Sequence, residues 1–294
     1  LGARTQLVDP AVMDLAPGVA IAIGIATLAA GWLVYDVLCR SPLGAREVPF
    51  ALVGFVLLTA AAWGLTRVFG SRAAYIHVGA LIGTIMAANV FFVIIPSQRR
   101  MVDAMTAGQA PDAAEGKAGA RRSRHNNYLT LPVVFIMVSQ HYPMTYGHAW
   151  NWAIPAALML IGAGVRHWFN LRHQGRGKAW ILPAAALGMV ALAVVSRPRP
   201  VDGVGGAPVA FAEVRAVRDQ RCVPCHAERP TLAGVTMAPL GVAFDRDDEV
   251  RRYVEQIDAR AVQTATMPPA NITGMTEAER ALLARWIREG GRVP

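Results

Sequence analysis

The chain has 294 residues, of which 54% are hydrophobic and only 17% charged, and a formal net charge of +9. That composition excludes a disordered or fibrous protein and points to apolar membrane helices joined to a soluble part. The excess of basic residues is scattered among the apolar stretches with no single basic face, so nucleic acid is not expected as a partner.

Six apolar stretches come in chain order, at residues 12–38, 48–69, 73–95, 129–140, 152–169 and 179–196. Most reach the roughly 20 residues that a bilayer core requires. The fourth is short and is interrupted by His141-Tyr142-Pro143, which predicts either a short span or one that continues with a kink. No secretory signal is evident, and Leu1 is not an initiator methionine, so the sequence reads as a fragment without its front.

Residues 207–294 hold 12 basic and 12 acidic residues, so the net charge belongs to the apolar part. With six spans, Arg40, Arg46, Arg99, Arg100, Lys117, Arg121, Arg122, Arg124, Arg166, Arg172, Arg176 and Lys178 fall on one side. Far fewer fall on the other, and the positive-inside rule makes the first side cytoplasmic. The expected location is the inner (cytoplasmic) membrane, multi-pass, with the C-terminal domain on the periplasmic side. His77, His141 and His148, with Tyr142, Tyr146 and Asn151, then gather in one layer near the periplasmic surface. Polar groups at that depth are often functional, and imidazole ligates metals or haem iron. An interfacial aromatic belt including Trp150 and Trp152 is the alternative. His125, His167 and His173 fall at the opposite face among arginines and are expected to contact lipid headgroups. Asn89 is expected to bond to a neighbouring helix.

After a Pro- and Gly-rich tether at 197–206 comes Arg221-Cys222-Val223-Pro224-Cys225-His226. Cys-x-x-Cys-His is the attachment sequence of a covalently bound haem c, two thiols meeting the vinyl groups and the next imidazole meeting the iron. The remaining cysteine, Cys39, is too distant to complete a zinc site. A thioredoxin-like pair needs an α/β pattern that is missing here. For the sixth ligand the sequence offers Met237, Met267 and Met275, and Met267 is preferred because Pro268 and Pro269 stiffen its loop. Thr276 and Glu279 read as a capped helix start, with Leu282, Leu283, Trp286 and Ile287 at helical spacing. A segment from Phe211 to Arg221 is the expected partner helix. The fold expected is all-α, a polytopic membrane helical bundle at 1–196 followed by a class I cytochrome c domain at 207–294.

Four stretches carry a resemblance: Ala73-Ala74-Tyr75-Ile76-His77-Val78-Gly79, Asn89 to Pro96, His125-Asn126-Asn127-Tyr128-Leu129-Thr130-Leu131-Pro132, and His141 to His148. They resemble the membrane-bound, cytochrome-linked urate oxidase family, also called urate hydroxylase. The resemblance implies oxidation of urate to 5-hydroxyisourate in purine catabolism. It also implies that the fused cytochrome passes electrons to a respiratory-chain acceptor, such as a terminal oxidase or a soluble cytochrome, and that further helices precede Leu1. Urate gives up two electrons and one haem accepts one at a time, so a stabilised radical or a second redox centre in the membrane domain is expected. His77, His141 and His148 are assigned to substrate or cofactor. Asn126, Asn127 and Tyr128 form a polar run without an assigned role. The alternative function is a membrane-anchored cytochrome that only relays electrons.

Overall fold

The computed structural model describes residues 7–197 and 208–294, and among them there is no strand. The tether at 197–206 lies outside the described residues apart from Arg197.

The apolar stretches form helices because their backbone polar groups are satisfied internally while long side chains cover the surface. The first are α1 (Pro17–Arg40), α2 (Glu47–Leu65) and α3 (Ser71–Asn89). Helix α3 continues through a π turn, Val90–Ile94, into the more polar α4 (Ile95–Thr106), giving one rod of 36 residues with a membrane-length apolar stretch. α5 (Ala113–Ser139), the short α6 (Pro143–Tyr146), α7 (Ala153–His173) and α8 (Ile181–Val195) follow. Among the described residues three helices are long and apolar enough to cross a membrane: α1, α2 and the α3–α4 rod. α8 is also apolar but has 15 residues, about 22 Å at the helical rise.

The interior and exterior of this bundle have similar polarity. Its core gathers Ala20, Ala62, Leu65, Phe69, Ala74, Val78, Ile82, Ile136 and Met159. Its outside is equally apolar, with Ile25, Leu33 and Val37 on α1, Leu52 and Val56 on α2, Phe91 and Phe92 on the rod, and Leu187 and Val190 on α8 all exposed. An apolar exterior of this extent calls for an apolar surrounding.

Two expected boundaries change. The stretch predicted at 129–140 is the second half of α5, whose first half is polar; the helix stops at Ser139, before Pro143. The stretch predicted at 73–95 belongs to the longer rod. Pro132 sits inside α5, fully buried, where it removes one intrahelical bond. Gly162 of α7 packs there: a Cβ on it would lie 2.9 Å from the Pro132 nitrogen and 3.0 Å from its ring. Both contacts are with rigid atoms, so Gly162→Val should separate α5 from α7. We expect a loss of about 1–3 kcal/mol, read as a lowered melting temperature in detergent; an unchanged melting temperature would refute this close approach.

The C-terminal unit is built on α9 (Phe211–Arg221), α10 (Asp247–Arg252), α11 (Val254–Ile257) and α12 (Glu277–Arg288). Val214, Val217, Phe244, Val250, Met275, Leu283 and Trp286 form its own core. Thr276 caps α12 through a full capping box with Glu279. Glu279 also accepts from Arg221 Nε at 2.9 Å, fastening the end of α9 to the start of α12. Burial pushes the Glu279 carboxyl upward, but the Thr276 backbone N–H and Arg221 outweigh it and hold the group below its ordinary range. The unit packs on α6 through the π turn Asp258–Gln263.

Candidate functional sites at the two ends of the bundle and in the C-terminal unit

α3 and α5 run antiparallel, because Gly79 meets Met137 near one end and Asn89 bonds Asn126 near the other. The end on which the C-terminal unit packs therefore carries the start of α3, the end of α5 and α6. His77, His141 and His148 all belong to this end, yet each is engaged separately. His77 Nδ1 lies 2.9 Å from the Ala73 carbonyl, its ring packs 4.6 Å from Phe69, and its other edge lies against Gly24 of α1. His141 is exposed and lies 2.7 Å from the Gln140 side-chain amide. His148 accepts from the Trp150 backbone N–H at 3.0 Å. Tyr75, fully buried, donates to the carbonyls of Thr145 and Asn151 and ties this end together. Among the described residues no group of three or more His, Cys, Asp or Glu side chains comes together to hold a metal ion.

The opposite end holds a polar network that sequence reasoning missed. Arg122, 4% exposed, donates to Asp36 Oδ1 at 2.6 Å and to Asn89 Oδ1 at 3.2 Å. Its guanidinium also stands over the rings of Trp32 and Tyr35. Asn89, fully buried, donates to the Tyr35 hydroxyl and to Asn126 Oδ1, as its place in an apolar helix predicts. His125 stacks on Phe50 with 4.6 Å between ring centres and meets the Tyr35 hydroxyl at 2.8 Å. This corrects its expected contact with lipid headgroups. The available signals were Asp36 near the end of an apolar run and Arg122 spaced four residues before Asn126 on α5.

The run from His125 to Tyr128 now has a physical account. Successive residues of a helix project about 100° apart. His125 therefore reaches α1 and α2, Asn126 reaches α3 through Asn89 and the Met86 carbonyl, and Asn127 reaches Arg166 and Asn170 of α7. Tyr128 reaches His167, also on α7. Four consecutive polar side chains thus pin α5 to its neighbours. On the α7 side they leave a cleft of about 640 Å³, lined by polar and basic groups including Arg124, Arg166, His167 and His173.

In the C-terminal unit the motif forms a tight turn at the end of α9, with the backbone N–H groups of Cys225 and His226 both donating to the Cys222 carbonyl, at 3.1 and 2.8 Å. Both thiols are free. His226 Nδ1 lies 3.1 Å from the Val242 carbonyl, which leaves Nε2 for a ligand. Burial lowers the His226 pKa against the opposing effect of that carbonyl, the direction that favours the uncharged ring a metal ligand needs. Of the methionines, Met237 is 73% exposed and Met275 is 3% exposed in the core. Met267 is partly buried against that core, its carbonyl accepting from Arg280 at 2.8 Å and its N–H donating to the Arg260 carbonyl at 3.0 Å. Two thiols, an oriented imidazole and a thioether on a fixed loop are the donor set that a c-type haem needs.

The fold thus defines an all-helical protein whose apolar bundle carries a compact Cys-x-x-Cys-His unit. The family described as Urate oxidase N-terminal matches residues 1–197. That is two thirds of the chain, and the chain belongs to this urate oxidase-related family. No curated protein and no solved structure matches it.

Proposed function

We propose that the chain is a membrane-bound, cytochrome-linked urate oxidase. Its bundle converts urate and water into 5-hydroxyisourate, two protons and two electrons. When bound, haem c supplies one-electron transfer, carrying these electrons singly to a respiratory-chain acceptor. Cys222 and Cys225 would hold the haem through thioethers, and His226 and Met267 would ligate its iron. The six apolar stretches, in α1, α2, the α3–α4 rod, the second half of α5, α7 and α8, lie in the bilayer, with the basic end cytoplasmic and the C-terminal unit periplasmic. The Arg122–Asp36 pair supports this reading for α1 and α5, since a charge within a bundle is tolerated when it is paired and faces inward. His77, His141 and His148, the residues proposed to meet substrate or cofactor, lie at the end next to the C-terminal unit.

The observation that carries this reading is the union in one chain of a urate oxidase family segment, 1–197, with a turn that brings together Cys222, Cys225 and an imidazole oriented by the Val242 carbonyl. Urate added to membranes containing the protein is expected to raise the reduced-haem α-band without dithionite. If dithionite develops that band and urate does not, the protein is an electron relay and the enzyme reading fails.

A further inference from the structure

The cleft between α5 and α7 lies at the end of the bundle away from the C-terminal unit. Along α7 it is separated from Ala153 by about 25 Å, counting to Asn170 at the helical rise. Its volume, about 640 Å³, is in the range of small-molecule sites. Its chemistry is selective. Arg166 spends only Nε, donating to Asn127 at 2.9 Å, and its terminal nitrogens make no hydrogen bond among the described residues. Asn170 donates to the same Asn127 oxygen at 2.9 Å, so the amide oxygen of Asn170 stays available as an acceptor. Tyr128 and His167 lie nearly parallel, 29° between their planes, joined by a bond of 2.7 Å from hydroxyl to Nδ1. Arg124 is paired with Glu47, which leaves Arg166 as the unmatched charge of the cleft.

We infer that this cleft is a binding site for a planar purine anion, urate itself, on the basic side of the bundle. The inference rests on the proposed function for the identity of the anion. Urate is a flat monoanion at neutral pH, edged with carbonyl acceptors and ring N–H donors. The free fork of Arg166 matches adjacent acceptors of such a ring, the Asn170 oxygen takes a ring N–H, and the Tyr128–His167 pair offers aromatic faces. A phosphate headgroup matches Arg166 but has no use for the amide or the rings. The C-terminal unit packs at the other end, so the cleft recruits the anion and does not itself pass electrons to that unit.

The test is equilibrium dialysis of urate against the full-length protein in phosphatidylcholine nanodiscs, with the haem reduced beforehand so that urate is not consumed. Arg166→Gln is expected to weaken urate binding about ten-fold or more, the size of one charged hydrogen-bonded contact. His167→Gln, at an exposed position, is expected to weaken it about three-fold. Wild-type affinity in both variants overturns the inference, as does absence of binding to the wild type. Loss of urate binding on adding phosphatidylglycerol to the discs identifies a lipid headgroup as the occupant and also overturns it. If urate reduces the oxidised wild-type haem while both variants bind normally, the cleft fails and the proposed function stands. If both variants bind weakly but urate never reduces the wild type, the cleft stands and the proposed function fails.

Discussion

Met267→Ala is expected to lower the reduction potential of the haem proposed at Cys222 and Cys225 by a few tenths of a volt, within the range of about 0.8 V that axial ligands command. Covalent attachment is expected to be unchanged, because Cys222, Cys225 and His226 sit on a separate turn at the end of α9, closed by its own backbone bonds. The loop is also expected to stay in place. Its carbonyl at position 267 is held by Arg280 and its N–H by the Arg260 carbonyl, bonds that the side chain does not make. Thioether ligation favours the reduced state and so raises the potential; water or an empty position in its place gives that up. Redox titration of the purified protein measures the shift, and the fraction of covalently bound haem after acid extraction checks attachment. An unchanged potential would move the ligand to Met275, because Met237 stands 73% exposed on another loop. Urate-driven reduction is expected to slow with the lowered potential, since the electron acceptor becomes a weaker oxidant.

Much of this architecture is legible in the sequence, and the places where it is not have a common cause. The helix from Phe211 to Arg221 and the capping box of Thr276 and Glu279 follow from local signals, and both form where expected. So do the first two apolar helices, since an uninterrupted apolar run needs no knowledge of its neighbours. α5 escapes because its first half carries Lys117, Arg121, Arg122, Arg124 and the polar run at 125–128. Hydropathy reads such a stretch as a loop. It is a helix whose key polar side chains find partners on other helices, Arg122 in Asp36 of α1 and Asn89 of α3, and Asn127 in Arg166 of α7. Those partners lie 33 to 86 residues away in the chain, and no local window contains them. The layer of His77, His141 and His148 was placed at one end by counting spans, which depends only on the chain reversing. Whether three imidazoles converge depends on side-chain packing, and here Ala73, Gln140 and Trp150 engage them one by one.

Asp36→Ala should be among the most damaging single changes in the bundle. It would leave the Arg122 guanidinium, whose side chain is 5% exposed, with one bond to Asn89 Oδ1 and the faces of Trp32 and Tyr35. Breaking a buried pair by removing one partner costs about 3–5 kcal/mol, because the surviving charge is buried without compensation. The lower part of that range applies, since Asp36 is 16% exposed and shares its other oxygen with Arg40, itself largely exposed. Asn89 Oδ1 then remains the guanidinium's hydrogen-bond partner, and because Asn89 Nδ2 donates to Asn126, movement of Arg122 should spread to the contacts of α3 with α5. Asp36→Ala combined with Arg122→Met removes both charges and should recover most of the loss, as replacement of a buried pair by apolar groups commonly does. Thermal unfolding of the two variants in detergent measures this directly. Equal destabilisation in both would mean that the charges themselves are not the issue, and that the network holds the basic end through Arg122's reach to Asn89. Recovery of stability without recovery of urate-driven haem reduction would separate the two roles, assigning the pair a part in the chemistry of the bundle beyond holding α1 against α5.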